Sequence, residues 1–357
     1  MKHTKRSDNI ACSCESPRYK YTVAARCFTY NQSPFIEYTL NGFASQVIDF
    51  PVVYIIVDDA STDGEQGILV QWANSHLSKE NNDSIWHDMP YGKLRVSYLQ
   101  NNTNALFVIV LLNENHYQKG KSIKRFDYIS EWYFDAKYHA FCEGDDYWPD
   151  RKKLMKQVGF LEQNPDYVLT YSNYYIVDRN NHRKSSLFST HYEGDILKKL
   201  LLKGNFIVAP SVCYRKDADN GWKEFRSRIP IELKMGDKPH WLYLAKIGKI
   251  KYQRDVTVAY RELPESASHS NNIEKLIEFS NNGEKITLFF NEIFEVGIPE
   301  RVIKRKYAMD RLRKYLKCSS NEYRQQVKKT ILEFPSVIFS PKIVVLLLLH
   351  VLFNIKY

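Results

Sequence analysis

Apolar residues in this chain gather in short blocks closed by turn-forming or acidic residues, with longer segments of helical spacing between them. Tyr21–Phe28 is the first block and predicts a strand ending in Thr29-Tyr30-Asn31. Ser33-Pro34 then supplies an N-cap and a first-turn proline for a helix over about Phe35–Ala44. Pro51 precedes a second, β-branched block, Val52–Val57, which ends in Asp58-Asp59-Ala60-Ser61-Thr62-Asp63-Gly64. A helix over about Gln66–Leu77 follows, then a polar stretch and a third strand near Leu94–Leu99. Strand, helix, strand, helix, strand is a βαβ pattern and argues for an α/β protein with a parallel sheet.

Residues 101–137 resist assignment. After them the apolar run Tyr138–Cys142 stops at Glu143-Gly144-Asp145-Asp146-Tyr147-Trp148, ahead of Pro149. An apolar run halted by a glycine and clustered acids reads as a buried strand delivering carboxylates to its C-terminal end, the edge where open α/β sheets bind ligands. Adjacent carboxylates repel and are costly to bury, so they point to a cation held among them. Oxygen-only donors suit Mg2+ or Mn2+, shared with substrate phosphates. The plainer alternative is an acidic loop capping the next helix. Asp150 can cap a helix over Arg151–Glu162, closed by Asn164-Pro165. Val168–Tyr171 and Tyr174–Val177 predict strands, and Ile196–Leu202 a buried helix. Gly236-Asp237 opens a helix to about Lys246; Lys249–Tyr260 is strand-like and Arg261–Asn272 a polar loop.

From residue 300 on, Val302, Met309, Leu312, Leu316, Tyr323, Val327 and Ile331 recur at helical spacing with a basic opposite face. The end, Phe334–Ile355, is strongly apolar, but two prolines, Lys342 and His350 interrupt it, short of a clean span of about 20 apolar residues. A basic amphipathic helix followed by an apolar hook predicts an anchor at a membrane surface, against the alternative of a helical hairpin packed on protein. Charge follows this division. The chain of 357 residues carries a net charge of +10, yet residues 300–330 hold eleven Lys or Arg against three acids. The body before them is nearly neutral, which argues against a basic fold wrapping nucleic acid. A hydrophobic fraction of 44% and aromatic fraction of 14% supply a substantial core. Cys12, Cys14, Cys27, Cys142, Cys213 and Cys318 read as reduced thiols, with Cys27 and Cys142 strand-buried. Met1–Arg18 is polar and lacks the apolar region of a secretory signal, so the expectation is a cytoplasmic protein, peripheral at the inner face of the plasma membrane.

Four segments, taken in order, carry a resemblance: Phe28-Thr29-Tyr30-Asn31, Val57-Asp58-Asp59-Ala60-Ser61-Thr62-Asp63, Cys142–Trp148 and Gly236-Asp237. Their order and spacing resemble the family 2 glycosyltransferases, in particular bacterial members that build surface polysaccharides, over roughly residues 20–270. The resemblance implies the GT-A fold with a mostly parallel central sheet, here over 20–298, preceded by a flexible N-terminus (1–19) and followed by a C-terminal helical appendage (299–357). It implies an inverting, metal-dependent hexosyl transfer from a UDP-sugar to a glycan or lipid-linked acceptor. Phe28 and Thr29 match positions that contact the nucleotide. Asp59, with Asp58 beside it, matches the acid that accepts from the uracil ring, a bond a carboxylate can make to N3–H. Asp145 matches the ligand of Mn2+ or Mg2+, with Glu143 supporting the metal or the donor ribose and Asp146 orienting the donor sugar. Trp148 is a core residue or a stacking wall. Asp237 matches the catalytic base; its rival role is an N-cap. Tyr117–Lys121 aligns with a basic loop in which Lys119 or Lys121 pairs the diphosphate.

One departure stands out. Many relatives carry Tyr-Arg-x-His late in the domain, whereas this chain has Tyr260-Arg261-Glu262-Leu263, leaving Glu262 or His269 as stand-ins for the histidine. The rival readings are a nucleotidyltransferase, for which Phe28–Ser33 lacks the Gly-rich basic loop, and a non-catalytic sugar-nucleotide-binding or membrane-adaptor protein.

Overall fold

The computed structural model describes residues 19–80, 85–121, 124–184, 192–263, 272–316 and 321–353. Residues 1–18, with Cys12 and Cys14, lie outside that range, as do Cys318 and His269. In chain order the first half runs β1 (Tyr21–Thr29), α1 (Ile36–Ala44), β2 (Val52–Asp58), α2 (Glu65–His76), β3 (His87–Met89), β4 (Gly92–Leu99), β5 (Asn102–Leu112), α3 (Lys124–Asp127), α4 (Ser130–Tyr133) and β6 (Ala136–Phe141). The second half runs α5 (Lys153–Gln163), β7 (Tyr167–Val177), α6 (Leu197–Lys203), β8 (Val212–Arg215), α7 (Trp222–Ser227), α8 (Asp237–Ile247), β9 (Lys249–Arg261), α9 (Ile273–Ile293), α10 (Glu300–Tyr315), α11 (Asn321–Glu333) and α12 (Pro341–Phe353).

All nine strands join one sheet in the order β3-β4-β5-β2-β1-β6-β8-β7-β9. Its centre, β5-β2-β1-β6, is parallel. Every residue of β2 is buried, which is what a β-branched run covered by helices on both faces requires. From β1 the chain steps outward through β2 to β5 and later returns to β1's other side as β6. The direction of winding therefore reverses between β1 and β6, the crevice where doubly wound sheets receive ligands.

The expected mostly parallel sheet is instead mixed. β4 pairs antiparallel with β3 and β5, and β8 pairs antiparallel with β6 and β7, while β7 and β9 are again parallel. The predicted strand near Leu94–Leu99 exists, but it is the outer arm of a hairpin rather than the third strand of the βαβ run. That third strand is β5, in the stretch the sequence left unassigned. β5 is buried from Ala105 to Leu112, whereas β4 alternates buried with half-exposed residues. The turn between them uses Asn101 at φ 61°, a conformation Asn tolerates better than most side chains. Val168–Tyr171 and Tyr174–Val177 merge into one strand, β7, whose pairing with β9 slips around Ser172 and Asn173. Ser33 does not cap α1; its N–H instead donates to Asp63 Oδ2 at 2.9 Å.

Three apolar clusters lie against the sheet, one of them joining Ala24, Val53 and Val108 to Ile129 and Tyr133. Around β1, β2 and β5 a second cluster includes Val23, Tyr54, Phe107 and Trp148, with Cys27 and Cys142 buried as expected. The third packs Tyr171, Tyr214, Trp241 and Leu242 against Ile286 and Phe290 of α9 and Ile303 and Tyr307 of α10. A separate cluster joins Leu312 of α10 to Phe334, Val337 and Ile343, so α12 folds back onto α10.

Candidate active site

The β1–β6 crevice is assembled by close backbone approach. Gly144, just past β6, lies so near Thr29 that a Cβ would fall 2.1 Å from Thr29 Oγ1. Only glycine lets the acidic turn reach the end of β1. Thr29 Oγ1 donates to the buried Glu65 at 2.5 Å, and Glu65 also accepts from Gln32 N at 2.8 Å and Ser61 Oγ at 2.9 Å. One buried carboxylate thus ties together the ends of β1 and β2. Thr39 Oγ1 of α1 donates to the Asp146 carbonyl at 2.6 Å and fixes the acidic turn from the other side.

Within the turn the three acids differ. Asp146 is buried; its Oδ1 accepts from Arg261 N at 2.7 Å, and burial together with Asp145 pushes its carboxyl well up. Arg261 Nε donates to the Asp145 carbonyl at 2.8 Å and its guanidinium lies over Phe35, so the late Tyr-Arg motif clamps the turn. Glu143 is half-buried. Burial raises its pKa, Arg26 draws it back, Asp145 raises it, Arg125 draws it back and Asp237 raises it again. Charges on Arg26, Arg125, Asp145 and Asp237 thus act on Glu143, although they come from separate segments.

Asp237 begins α8. It accepts from Asn205 Nδ2 at 2.5 Å and from its neighbour Lys238 N at 2.8 Å, and no side chain caps the helix. A capping acid would hold an N–H two or three residues on, so the helix leaves this carboxylate for other work. Burial raises its pKa above the ordinary Asp range.

The nucleotide-side residues divide similarly. Phe28, at the end of β1, stacks with the Arg26 guanidinium at 4.1 Å and that of Arg125 at 4.3 Å. Asp59 is buried and spends both oxygens on one loop, accepting from His116 N at 2.8 Å and Tyr117 N at 3.0 Å with Arg125 at 3.4 Å. Asp58 turns into its own loop, where Oδ1 accepts from Ser61 N at 3.0 Å and Gln66 Nε2 at 2.6 Å; Oδ2 is buried without a hydrogen-bond partner among the described residues. Lys119 and Lys121 are exposed and both pair with Glu114, at 2.6 and 3.2 Å. The cation of that region facing Phe28 and Glu143 is Arg125, which the sequence reading missed because it lies in the unassigned stretch. Arg26 was missed too, though a charge inside an otherwise apolar strand was a visible signal. Asn205 carried none.

Trp148 is core, 1% exposed, with Nε1 donating to the Pro210 carbonyl at 2.9 Å. Leu263, where relatives carry histidine, is buried and apolar. Glu262 is drawn toward Lys184 at 3.8 Å. Among the described residues no three His, Cys, Asp or Glu side chains group as a self-sufficient metal centre. Glu143 and Asp145 nevertheless offer hard oxygen donors, and a Mg2+ or Mn2+ ion that takes its remaining ligands from a diphosphate and water needs only one or two carboxylates. The donor set fits such an ion.

No family model matches the chain. It is 31% identical over 190 residues to the uncharacterized protein Rv1520 of Mycobacterium tuberculosis, and equally to Mb1547 of Mycobacterium bovis. The match covers 53% of this chain and 45% of either relative, so the chain spans less than half their length. Among solved structures it resembles S. aureus TarS 1-349 in complex with UDP-GlcNAc, with a TM-score of 0.50 and 16% identity over 89% of this chain and 81% of that one. The TarS 1-349 structure without that ligand gives 0.50 and 17%, over 91% and 83%. The chain shares the fold of TarS 1-349.

Proposed function

We propose that the protein is a glycosyltransferase of the GT-A type, transferring a sugar from a UDP-sugar to a hydroxyl of a glycan or lipid-linked acceptor with inversion. The observation that carries this reading is the acidic turn Glu143–Asp146 packed against Thr29 at the sheet's switch point, with Arg26 and Arg125 stacked on the adjacent Phe28. Acids for a cation, arginines for a phosphate-bearing donor and a separate carboxylate with raised pKa are three parts that such a transfer needs. The shared fold with a structure holding UDP-GlcNAc supports the donor class.

In this reading Phe28 and Arg125 form the nucleotide end. Thr29 and Asp58 shape that end by holding the two strand termini in register. Asp59 fixes the His116–Tyr117 loop over it through both carboxylate oxygens. Asp145 and Glu143 would hold Mg2+ or Mn2+, which when bound supplies Lewis acidity to the leaving diphosphate. Asp146, anchored by Arg261, sets the shape of the donor-sugar pocket. Asp237 accepts the acceptor hydroxyl's proton as that oxygen attacks the anomeric carbon and the bond to the diphosphate oxygen breaks. Asn205 orients its carboxylate for this. A role in bacterial surface polysaccharide synthesis follows from the resemblance of the motifs.

A thermal-shift panel of nucleotide-sugars with and without Mn2+ tests the donor assignment, because a bound donor stabilises by mass action. UDP-sugars should raise the melting temperature more with Mn2+ than without. In Asp145→Asn that increment should vanish; an unchanged metal-dependent shift removes Asp145 as the ligand.

A further inference from the structure

The C-terminal helices carry an apolar face that the fold leaves uncovered. Ile343 of α12 and Val337 before it are fully buried against Leu312 and Ala308 of α10. The opposite side of the same segment is exposed: Phe339 is 79% exposed, Val345 54% and Leu348 52%, and Leu332 at the end of α11 is 80% exposed. α12 is therefore not a detached hook. It is a helix with one apolar face packed inward and a second apolar face turned to solvent, and surface helices ordinarily present polar residues there.

Cations lie beside the α11 end of this face and the following turn, where the acid Glu333 is also exposed. Lys328 and Lys329 are exposed and stand four and three positions before Leu332, on the same side of α11. Arg305 of α10 is exposed and bonds the intervening turn, Nε donating to Ser336 Oγ at 2.9 Å. Exposed aliphatic and aromatic side chains bordered by Lys and Arg are the composition of a helix that lies in a lipid interface, with apolar groups among the acyl chains and cations at the headgroups. No helix among the described residues is long and apolar enough to cross a membrane, which leaves surface docking. A symmetric dimer through this face would bring Lys328, Lys329 and Arg305 toward their own copies, a like-charge juxtaposition that anionic headgroups reverse.

We propose that the face formed by Leu332, Phe339, Val344, Val345 and Leu348, bordered by Lys328, Lys329 and Arg305, docks the folded protein on an anionic lipid bilayer. This proposal stands independently of the transferase reading.

The test is co-sedimentation of the full chain with vesicles of phosphatidylcholine alone or mixed in equal parts with phosphatidylglycerol. The protein should partition onto the anionic vesicles, weakly onto neutral ones, and less as salt rises. Phe339→Ser with Val345→Ser should lower partitioning roughly tenfold through lost apolar insertion. Lys328→Glu with Lys329→Glu should lower it by a similar factor of about ten. All four positions are exposed, so melting temperatures should stay near that of the parent chain. The proposal is overturned if the parent chain remains in the supernatant with anionic vesicles. Undiminished binding by both double variants also overturns it, as does gel filtration showing a dimer that Phe339→Ser disperses.

Discussion

Seven carboxylates around the crevice have distinct duties, and their partners set those duties. Glu65 and Asp58 are structural, Glu65 held through both oxygens and Asp58 through Oδ1 alone by the turns at the ends of β1 and β2. Asp59 and Asp146 hold loops through backbone N–H groups. Glu143, Asp145 and Asp237 are left for the proposed chemistry. The spacing of acids behind an apolar run made the cluster at 143–146 legible from sequence. The division of labour within it was not, because it depends on Arg26, Arg125 and Arg261 arriving from other strands and loops. Asp237 is the sharpest case: its sequence position allowed an N-cap, but Gly236 occupies that position and no side chain caps α8. Asp237→Asn should retain donor binding and lose transfer by a factor of about 10²–10⁴, measured as a fall in kcat with donor KM unchanged. Because burial raises this pKa and the base must be ionised, the parent enzyme's rate should fall with acidification at a pH above the ordinary Asp range. Substantial transfer by the Asn variant would remove Asp237 as the base.

At the scale of elements, the pattern of apolar blocks located β1, β2, β6, α1 and α2 to within a residue or two, missed α3 and α4, and failed over direction. Alternation and burial look alike in parallel and antiparallel strands, so β4 passed for the third strand of a βαβ run. Only the pairing of Val52–Asp58 with Ala105–Leu111 assigns that place to β5. β6 and β8 add a polar device that no periodicity announces. His139 is buried between them, Nδ1 bonding Tyr214 Oη at 3.2 Å and Nε2 the Tyr133 carbonyl at 2.9 Å. Burial lowers its pKa from 6.5 to about 4. The unfolded chain therefore takes up this proton at higher pH than the folded one. The associated stability is present above pH 6.5, falls as pH drops through that window and is lost below about 4. The total is about 3 kcal/mol. Urea denaturation of the parent and His139→Gln should show their stability difference shrinking by roughly that amount from the neutral to the acid end. A difference independent of pH would mean that His139 is not buried as a neutral ring.

The whole molecule is joined where α8 meets the C-terminal helices. Lys238, next to Asp237, is buried; its Nζ donates to Thr287 Oγ1 of α9 and Tyr307 Oη of α10, both at 2.7 Å. Burial pushes the Lys238 ammonium far below its usual pKa range. The segment that supplies the proposed base is thus fastened to α9 and α10 by a polar network inside an apolar core. Removing one member leaves the others unsatisfied at about 1–3 kcal/mol. Tyr307→Phe should lower the urea midpoint accordingly while keeping a single cooperative transition, whereas a separate early transition would mean that α10 unfolds apart from the body. The sequence by itself determined the α/β class, the acidic strand end and the basic C-terminal region, because each is written in local order: periodicity, turn residues and charge; Asp237 was marked only by the family resemblance. Tertiary structure alone decided that the sheet is mixed, that arginines from distant segments face Glu143, and that the C-terminal apolar helix packs one face inward while exposing the other. Those outcomes depend on which segments meet, and long-range pairing leaves no local trace in the chain.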